Sequence, residues 1–390
     1  MTEKQKKIVI IGSAHPLRGG LAAYNERLAK AFQQAGYDTV IYTFSLQYPS
    51  FLFPGKTQYS SDPPSADLTI NVSINSINPF NWLRYGKRIK RLNPDLVIIK
   101  YWTPFMAPCL GTMARIIRKN KVSRIISIID NIIPHEKHPG DRLLSNYWVK
   151  SVDGFIAMSK SVLADLNTFD HKKPKMYSPH PLYDNFGESV TKSEAKHRLN
   201  LNPDTAYMLF FGFIRDYKGL DLLIKAFADE RILKLNIKLI VAGEFYTDAT
   251  PYFKLISDLK LNDRIIMDNN FIPDTNVVNY FCASDLVVQP YKHATQSGVT
   301  QIAYHFNKPM ITTNVGGLSE MVPDGVVGYV TEPDVQQVAD AIYKFYNEKK
   351  ESEFSTNMNT EKQKFSWNNM LQSLNELNNK ITIFKNDNPK

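Results

Sequence analysis

The sequence predicts an α/β protein built from two open sheets of parallel strands, each flanked by helices. Three observations predict this. Short apolar runs such as Ile8–Gly12, Leu96–Ile99 and Ile125–Ile129 lack polar alternation, as strands buried on both faces do. Amphipathic, helix-length stretches separate them, and strands alternating with helices build a parallel sheet. The pattern pauses at His180-Pro181-Leu182-Tyr183 and then restarts, in a chain whose 390 residues exceed one ordinary core.

In order, Ile8 to Gly12 reads as the first strand, followed by the loop Ser13–Gly20 and a helix from about Leu21 to Gln34 that Gly36 closes. Thr39–Thr43 is a second strand, and residues 45–80, rich in Ser, Pro and Asn, form an irregular insertion with some strand. Strands at Asp95–Ile99 and Arg124–Ile129 bracket a helix near Pro108–Lys119, and a strand at Asp153–Met158 leads into a helix at Ser159–Asn167. After the linker come strands at Met208–Phe213, Ile237–Ala242, Ile265–Met267 and Leu286–Val288, with a helix at Gly219–Phe227. The domains are therefore 1–180, 181–365 and a terminal helix with its tail, 366–390. In that helix Trp367, Met370, Leu371, Leu374, Leu377 and Ile381 recur at helical spacing and give one apolar stripe.

The net charge of +9 is unevenly spread. Residues 1–180 hold 25 Lys and Arg against 12 Asp and Glu, a net of +13, and the remainder carries −4. Arg84, Lys87, Arg88, Lys90 and Arg91 crowd beside Phe80, Trp82, Leu83 and Tyr85, and Arg115, Arg118, Lys119, Lys121 and Arg124 form a second group. Such clusters suit an anionic membrane surface or a solvated helix face. Nucleic-acid binding would need stacking platforms or a reading helix, and neither is recognisable. No apolar run spans a bilayer, the first strand begins without a signal-like segment, and Cys109 and Cys282 lie in apolar contexts. The expectation is a cytoplasmic protein, either free or peripheral on the inner face of the membrane.

Two stretches carry the chemistry. Leu286–Glu320 ends a buried strand at Pro290, passes a polar loop and opens a helix at Ser297-Gly298. Backbone N–H groups at the carboxyl edge of a parallel sheet, ahead of a helix N-terminus, suit a phosphate. Phe211-Gly212-Phe213-Ile214-Arg215-Asp216-Tyr217-Lys218-Gly219 turns from strand to helix with two cations, Arg215 and Lys218, that are either solvated loop charges or a pair placed where a pyrophosphate would meet the helix N-terminus. A nicotinamide-dependent dehydrogenase fits poorly, because Gly12-Ser13-Ala14-His15 lacks the glycine spacing of a dinucleotide loop.

With Val241-Ala242-Gly243-Glu244, Phe271-Ile272-Pro273-Asp274, Ala283-Ser284-Asp285-Leu286, Val315-Gly316-Gly317-Leu318-Ser319-Glu320 and the Gly19-Gly20 loop, these residues resemble the retaining, GT-B-fold glycosyltransferases of family 4. The resemblance implies two Rossmann-like domains facing across a cleft, with the C-terminal helix crossing back to the first domain. It implies a nucleotide-diphosphate-sugar donor, a saccharide or lipid-linked acceptor, a role in cell-surface polysaccharide or glycoconjugate synthesis, no nucleic-acid partner, and neither cofactor nor metal. Arg215 and Lys218 would neutralise the departing diphosphate, and Gly19 and Gly20 would let backbone approach it. Gly212, Glu244, Phe271 and Ile272 would line the donor site, the last two holding the base.

Two departures stand out. The family's Glu, seven intervening residues and second Glu fall here on Ala294 and Ile302. Gln296, Ser297, Gly298, Val299 and Gln301 are then the groups left to read the sugar and ribose hydroxyls. Where many members place a His near the transferred sugar, this chain has Asp130. Asp130, Asn131, His135 and Glu136 are the candidates for acceptor contact, with Asp130 also catalytic. His15 and His180 are read as structural. A nonenzymatic GT-B-fold partner subunit remains the rival reading, since it too would lack the carboxylates.

Overall fold

The computed structural model describes residues 5–49, 57–60, 63–134, 138–184, 186–294 and 297–387. The chain divides into two compact units. The first runs to Pro181 and takes in Ser366–Lys390, and the second comprises Leu182–Phe365.

The first unit contains β1 (Lys7–Ile11), β2 (Asp38–Leu46), β3 (Thr69–Asn75), β4 (Leu96–Tyr101), β5 (Arg124–Ile129), β6 (Gly154–Ala157) and β7 (Lys175–Tyr177). They pair in the order β3-β2-β1-β4-β5-β6-β7, every pair parallel. The order reverses direction between β1 and β4, so a crevice opens beyond their carboxyl ends. Part of the stretch 45–80 is more regular than its composition predicts, because β3 pairs along β2 with register shifts near Phe44. Val97, Ile99 and Tyr101 point to a core with Cys109, Met113 and Trp148, and Tyr101 stacks on Trp148 at 4.9 Å.

On the opposite face lies the last helix, Trp367–Asp387, which buries all six stripe residues. Trp367 packs against Tyr24, ring centres 5.2 Å apart, and Lys385 pairs with Asp153 at 3.1 Å. A Cβ on Gly154 would stand 2.7 Å from Ile381 Cδ1, so the glycine is what lets helix and sheet close. Burying six large apolar side chains, each worth about 1.5–3 kcal/mol, explains why the terminal helix holds to this unit.

The second unit contains β8 (Ala206–Phe211), β9 (Ile237–Ala242), β10 (Ile265–Asp268), β11 (Leu286–Gln289), β12 (Met310–Thr313) and β13 (Gly328–Thr331). Their order is β10-β9-β8-β11-β12-β13, again wholly parallel, with the reversal between β8 and β11. Its core gathers Met208, Phe210, Leu223, Phe227, Val241, Val288 and Ile342.

Candidate active site

In the second unit the loops that follow β8 and β11 are locked together at the reversal point. Gly219 has φ +69°, and a Cβ there would stand 2.0 Å from Pro290 O. Lys292 N–H donates to Tyr217 O at 2.7 Å, and Lys292 Nζ pairs with Asp216 and Asp221 at 3.0 and 2.9 Å. Gly212 (φ +95°) and Gly243 (φ +148°) complete the close approach, since a Cβ on Gly243 would stand 2.1 Å from Gly212 O. No residue but glycine tolerates these conformations and distances together.

This locking places Lys218. Its side chain is buried, and a Cβ added to Gly212 would stand 3.1 Å from Lys218 Nζ and 3.7 Å from Val299 Cγ2. The Tyr291 ring centre lies 5.6 Å from the ammonium. Among the described residues no carboxylate pairs with it. Burial, reinforced by the neighbouring Arg215 charge, pushes the Lys218 pKa down to about 8. Arg215 is half-buried over the Tyr246 ring at 5.2 Å, and Tyr246 continues to Phe213 at 4.3 Å. Phe213 stacks towards Phe271 at 6.3 Å, Ile272 is buried, and Glu244 is buried with its carbonyl accepting from Ile214 N–H. Gly212, Arg215, Lys218, Glu244 and Phe271 are thus brought to one edge of one sheet.

The helix Gly298–His305 departs from the sequence reading in three ways. Ser297 caps it, its Oγ accepting from Val299 N–H at 3.2 Å, so that donor serves the helix rather than a ligand hydroxyl. Gly298 lies under Tyr183, whose Cε2 would stand 2.7 Å from a Cβ there. Gln301 is fully buried, its Nε2 directed at Met321 Sδ at 3.5 Å, so it belongs to the interior rather than to a hydroxyl-binding surface. Gln296 lies outside the described residues. Ala294 packs with Tyr291 and Leu318, and Ile302 is buried, so apolar packing replaces both family carboxylates.

In the first unit Gly19 (φ +95°, ψ 178°) precedes the helix Gly20–Gln34 and is its N-cap. The loop before it is tied at each step: Ser13 Oγ bonds Gln47, Ala14 N–H donates to Thr43 Oγ1, and His15 N–H donates to Glu26. Asn25 Nδ2 donates to Ser13 O and would stand 2.5 Å from a Cβ on Gly12. Asp130 follows β5 and pairs with Lys100 Nζ at 2.8 Å, with half-buried Asn131 beside it. His135 and Glu136 lie outside the described residues.

Sequence reasoning missed Lys100. Its ammonium is 2% exposed and lies 3.6 Å from the Tyr24 ring centre. Burial lowers its pKa and Asp130 opposes that. Tyr24 also meets His180 at 5.1 Å, and burial, with the Lys100 charge, pushes the His180 pKa down to about 3. The signal was present: a lysine inside the apolar run Leu96–Tyr101 has to find a partner. Among the described residues no group of three His, Cys, Asp or Glu side chains is placed to hold a metal, and no helix is long and apolar enough to cross a membrane.

Two family models match the chain, Glycosyltransferase Family 4 over residues 18–177 and Glycosyl transferases group 1 over residues 191–365. A lipopolysaccharide 1,2-N-acetylglucosaminetransferase of Salmonella typhimurium is 32% identical over 146 residues, which is 35% of this chain and 38% of that protein. The chain therefore spans little more than a third of that relative's length. A D-inositol 3-phosphate glycosyltransferase of Thermobifida fusca is 25% identical over 362 residues, covering 85% of this chain and 81% of that protein. Among solved structures, a sucrose-phosphate synthase of Thermosynechococcus elongatus shares the fold at a TM-score of 0.73 and 17% identity, over 97% of this chain and 100% of that one.

Proposed function

The chain belongs to the family 4 glycosyltransferases of GT-B fold, and we propose that it moves a sugar from a nucleotide-diphosphate-sugar to an acceptor hydroxyl with retention of configuration. The observation that carries this reading is Lys218: a buried ammonium with no carboxylate partner among the described residues, over Gly212 at the sheet's reversal point, with Arg215 beside it. A cation held at such a cost suits an anion that arrives with the substrate. As the bond from the anomeric carbon to the diphosphate breaks, negative charge grows on the leaving group. Lys218 supplies a point charge and Arg215 a planar fork to meet it, so no divalent ion is required for that step.

The aromatic row Phe213, Tyr246 and Phe271 is suited to the nucleoside end of the donor. Asp130, oriented by Lys100, serves the transferred sugar or the acceptor hydroxyl, which attacks on the face the diphosphate leaves. With a lipopolysaccharide glycosyltransferase among the relatives, a saccharide or lipid-linked acceptor in cell-surface polysaccharide or glycoconjugate synthesis is the reading we favour. Thermal stabilisation and hydrolysis across UDP-, GDP-, ADP- and dTDP-sugars tests it. One or more should stabilise the wild type and be turned over, and Lys218→Ala should lose both with its fold intact. Unchanged kinetics in that variant would remove the donor-site assignment.

A further inference from the structure

The helix Pro79–Leu92 carries a surface that the sugar-transfer reading leaves unused. One face anchors it firmly. Asn78 Oδ1 accepts from Phe80 and Asn81 N–H groups, and Trp82 Nε1 donates to Asn75 O at 2.7 Å. Gly86 leaves room for Ile116, which would stand 3.1–3.3 Å from a Cβ there, and Ile89 is fully buried. The other face is a continuous exposed stripe of Phe80, Leu83, Arg84, Lys87, Arg88 and Arg91, the i, i+3, i+4 spacing of one helix side.

Its apolar end and its cationic end are distinct. Phe80 is 83% exposed, and Ile77 and Leu83 beside it are 50% and 42% exposed. Beyond them the stripe is only cationic, from Arg84 to Arg91 over roughly 10 Å of helix axis. No acidic residue occurs between Asp67 and Asp95, and among the described residues none of Arg84, Lys87, Arg88 and Arg91 forms an ion pair. Asn120 Nδ2 donates to Lys90 O at 3.4 Å, which brings exposed Lys119 and Lys121 to the cationic end.

We propose that this face seats the chain on an anionic lipid bilayer. Phe80, Ile77 and Leu83 enter the headgroup layer while Arg84, Lys87, Arg88 and Arg91 meet lipid phosphates. A large ring at full exposure is costly in water and favourable at that boundary, and unpaired cations are drawn to the negative surface potential. A nucleic acid would need a row of stacking rings, and the stripe offers one. The surface uses none of the donor-site residues and survives that reading's failure.

Flotation of the full chain with phosphatidylcholine vesicles, with and without about a third phosphatidylglycerol, tests the proposal. Binding is expected only to the anionic vesicles, weakening as salt rises. The triple variant Arg84→Ser, Lys87→Ser, Arg88→Ser should bind on the order of a hundredfold more weakly, and Phe80→Ser about fivefold more weakly. Emission from Phe80→Trp should shift to the blue when vesicles are added. No binding to anionic vesicles, undiminished binding by the triple variant, or displacement from vesicles by single-stranded DNA at equal phosphate would each overturn it.

Discussion

Replacing Lys218 by Met keeps the length of the side chain and removes its charge, and it separates the two roles a buried cation can have. Its pKa falls from the ordinary 10.5 to about 8 on folding, which places about 3 kcal/mol of folding free energy against the ammonium at neutral pH. The sign follows directly. Below pH 8 both states are protonated and the cost is full. Between about 8 and 10.5 the folded protein sheds the proton while the unfolded chain keeps it, so stability rises with pH, and above 10.5 the cost is gone. Lys218→Met should therefore stabilise the ligand-free protein at pH 7 by about 2–3 kcal/mol, once local rearrangement is allowed for. For a unit of this size that is roughly 5–10 °C in Tm. The same variant should lose the stabilisation that saturating nucleoside diphosphate provides, about 2.7 kcal/mol at a hundred times Kd. Differential scanning fluorimetry with and without UDP, GDP and ADP reads both effects. A variant that melts lower than the wild type and still responds to nucleotide would refute the reasoning, because Lys218 would then be a structural cation.

Other consequences are open to simpler measurements. A bound diphosphate should restore the Lys218 proton, so nucleotide affinity should fall as pH rises above about 8 and binding there should take up a proton, which calorimetry in buffers of different ionisation enthalpy detects. Asp130→Asn should destabilise the first unit by about 3–5 kcal/mol by leaving Lys100 buried and unpaired, and adding Lys100→Met should recover most of that loss; no recovery in denaturant titration would deny the coupling. Ser297→Ala should cost about 1 kcal/mol through the lost helix cap, with little change in nucleotide affinity. Sugar transfer should persist in excess EDTA, and its abolition with rescue by Mg²⁺ would overturn the metal-independent reading.

Both sheets were legible because a parallel strand buried on two faces leaves a near-continuous apolar run; β1, β4, β9 and β11 each hold one, and in β5 only the buried Ser127 breaks it. What escaped lies at the sheet margins. β7 is three half-buried residues, Lys175–Tyr177, and β13 is Gly328–Thr331, where a Cβ on Gly328 would stand 1.7 Å from Met310 O. Neither has a run long enough to stand out from a loop, since pairing with an existing strand rather than propensity makes them strands. The helix Asp141–Val149 was hidden for another reason: its apolar residues face a core while Leu143 stays 74% exposed, which blurs the stripe. At the site, spacing put Arg215, Lys218 and Gly212 together because a strand–turn–helix unit is local. Gln301 misled because a polar residue on an amphipathic helix reads as surface, whereas here Met321 and Tyr304 close over that side.

The two buried lysines make the distinction between positioning and binding concrete. Lys100 and Lys218 both sit near the carboxyl end of a sheet at its reversal point, and burial depresses both. Lys100 is answered within its own unit, by Asp130 at 2.8 Å and the face of Tyr24. That arrangement fixes the carboxylate direction and leaves no net charge for a ligand to satisfy. Lys218 has a like charge, Arg215, as its electrostatic neighbour, and the carboxylates closest to it in sequence, Asp216 and Asp221, are taken by Lys292. Lys292 thereby keeps two acids from quenching the cation beside them. Lys292→Met should free Asp216 and Asp221 to lower the local potential, and nucleotide affinity should drop by several-fold although Lys292 touches no part of the donor in this reading. Affinity equal to wild type in that variant would show that the potential at Lys218 is set elsewhere.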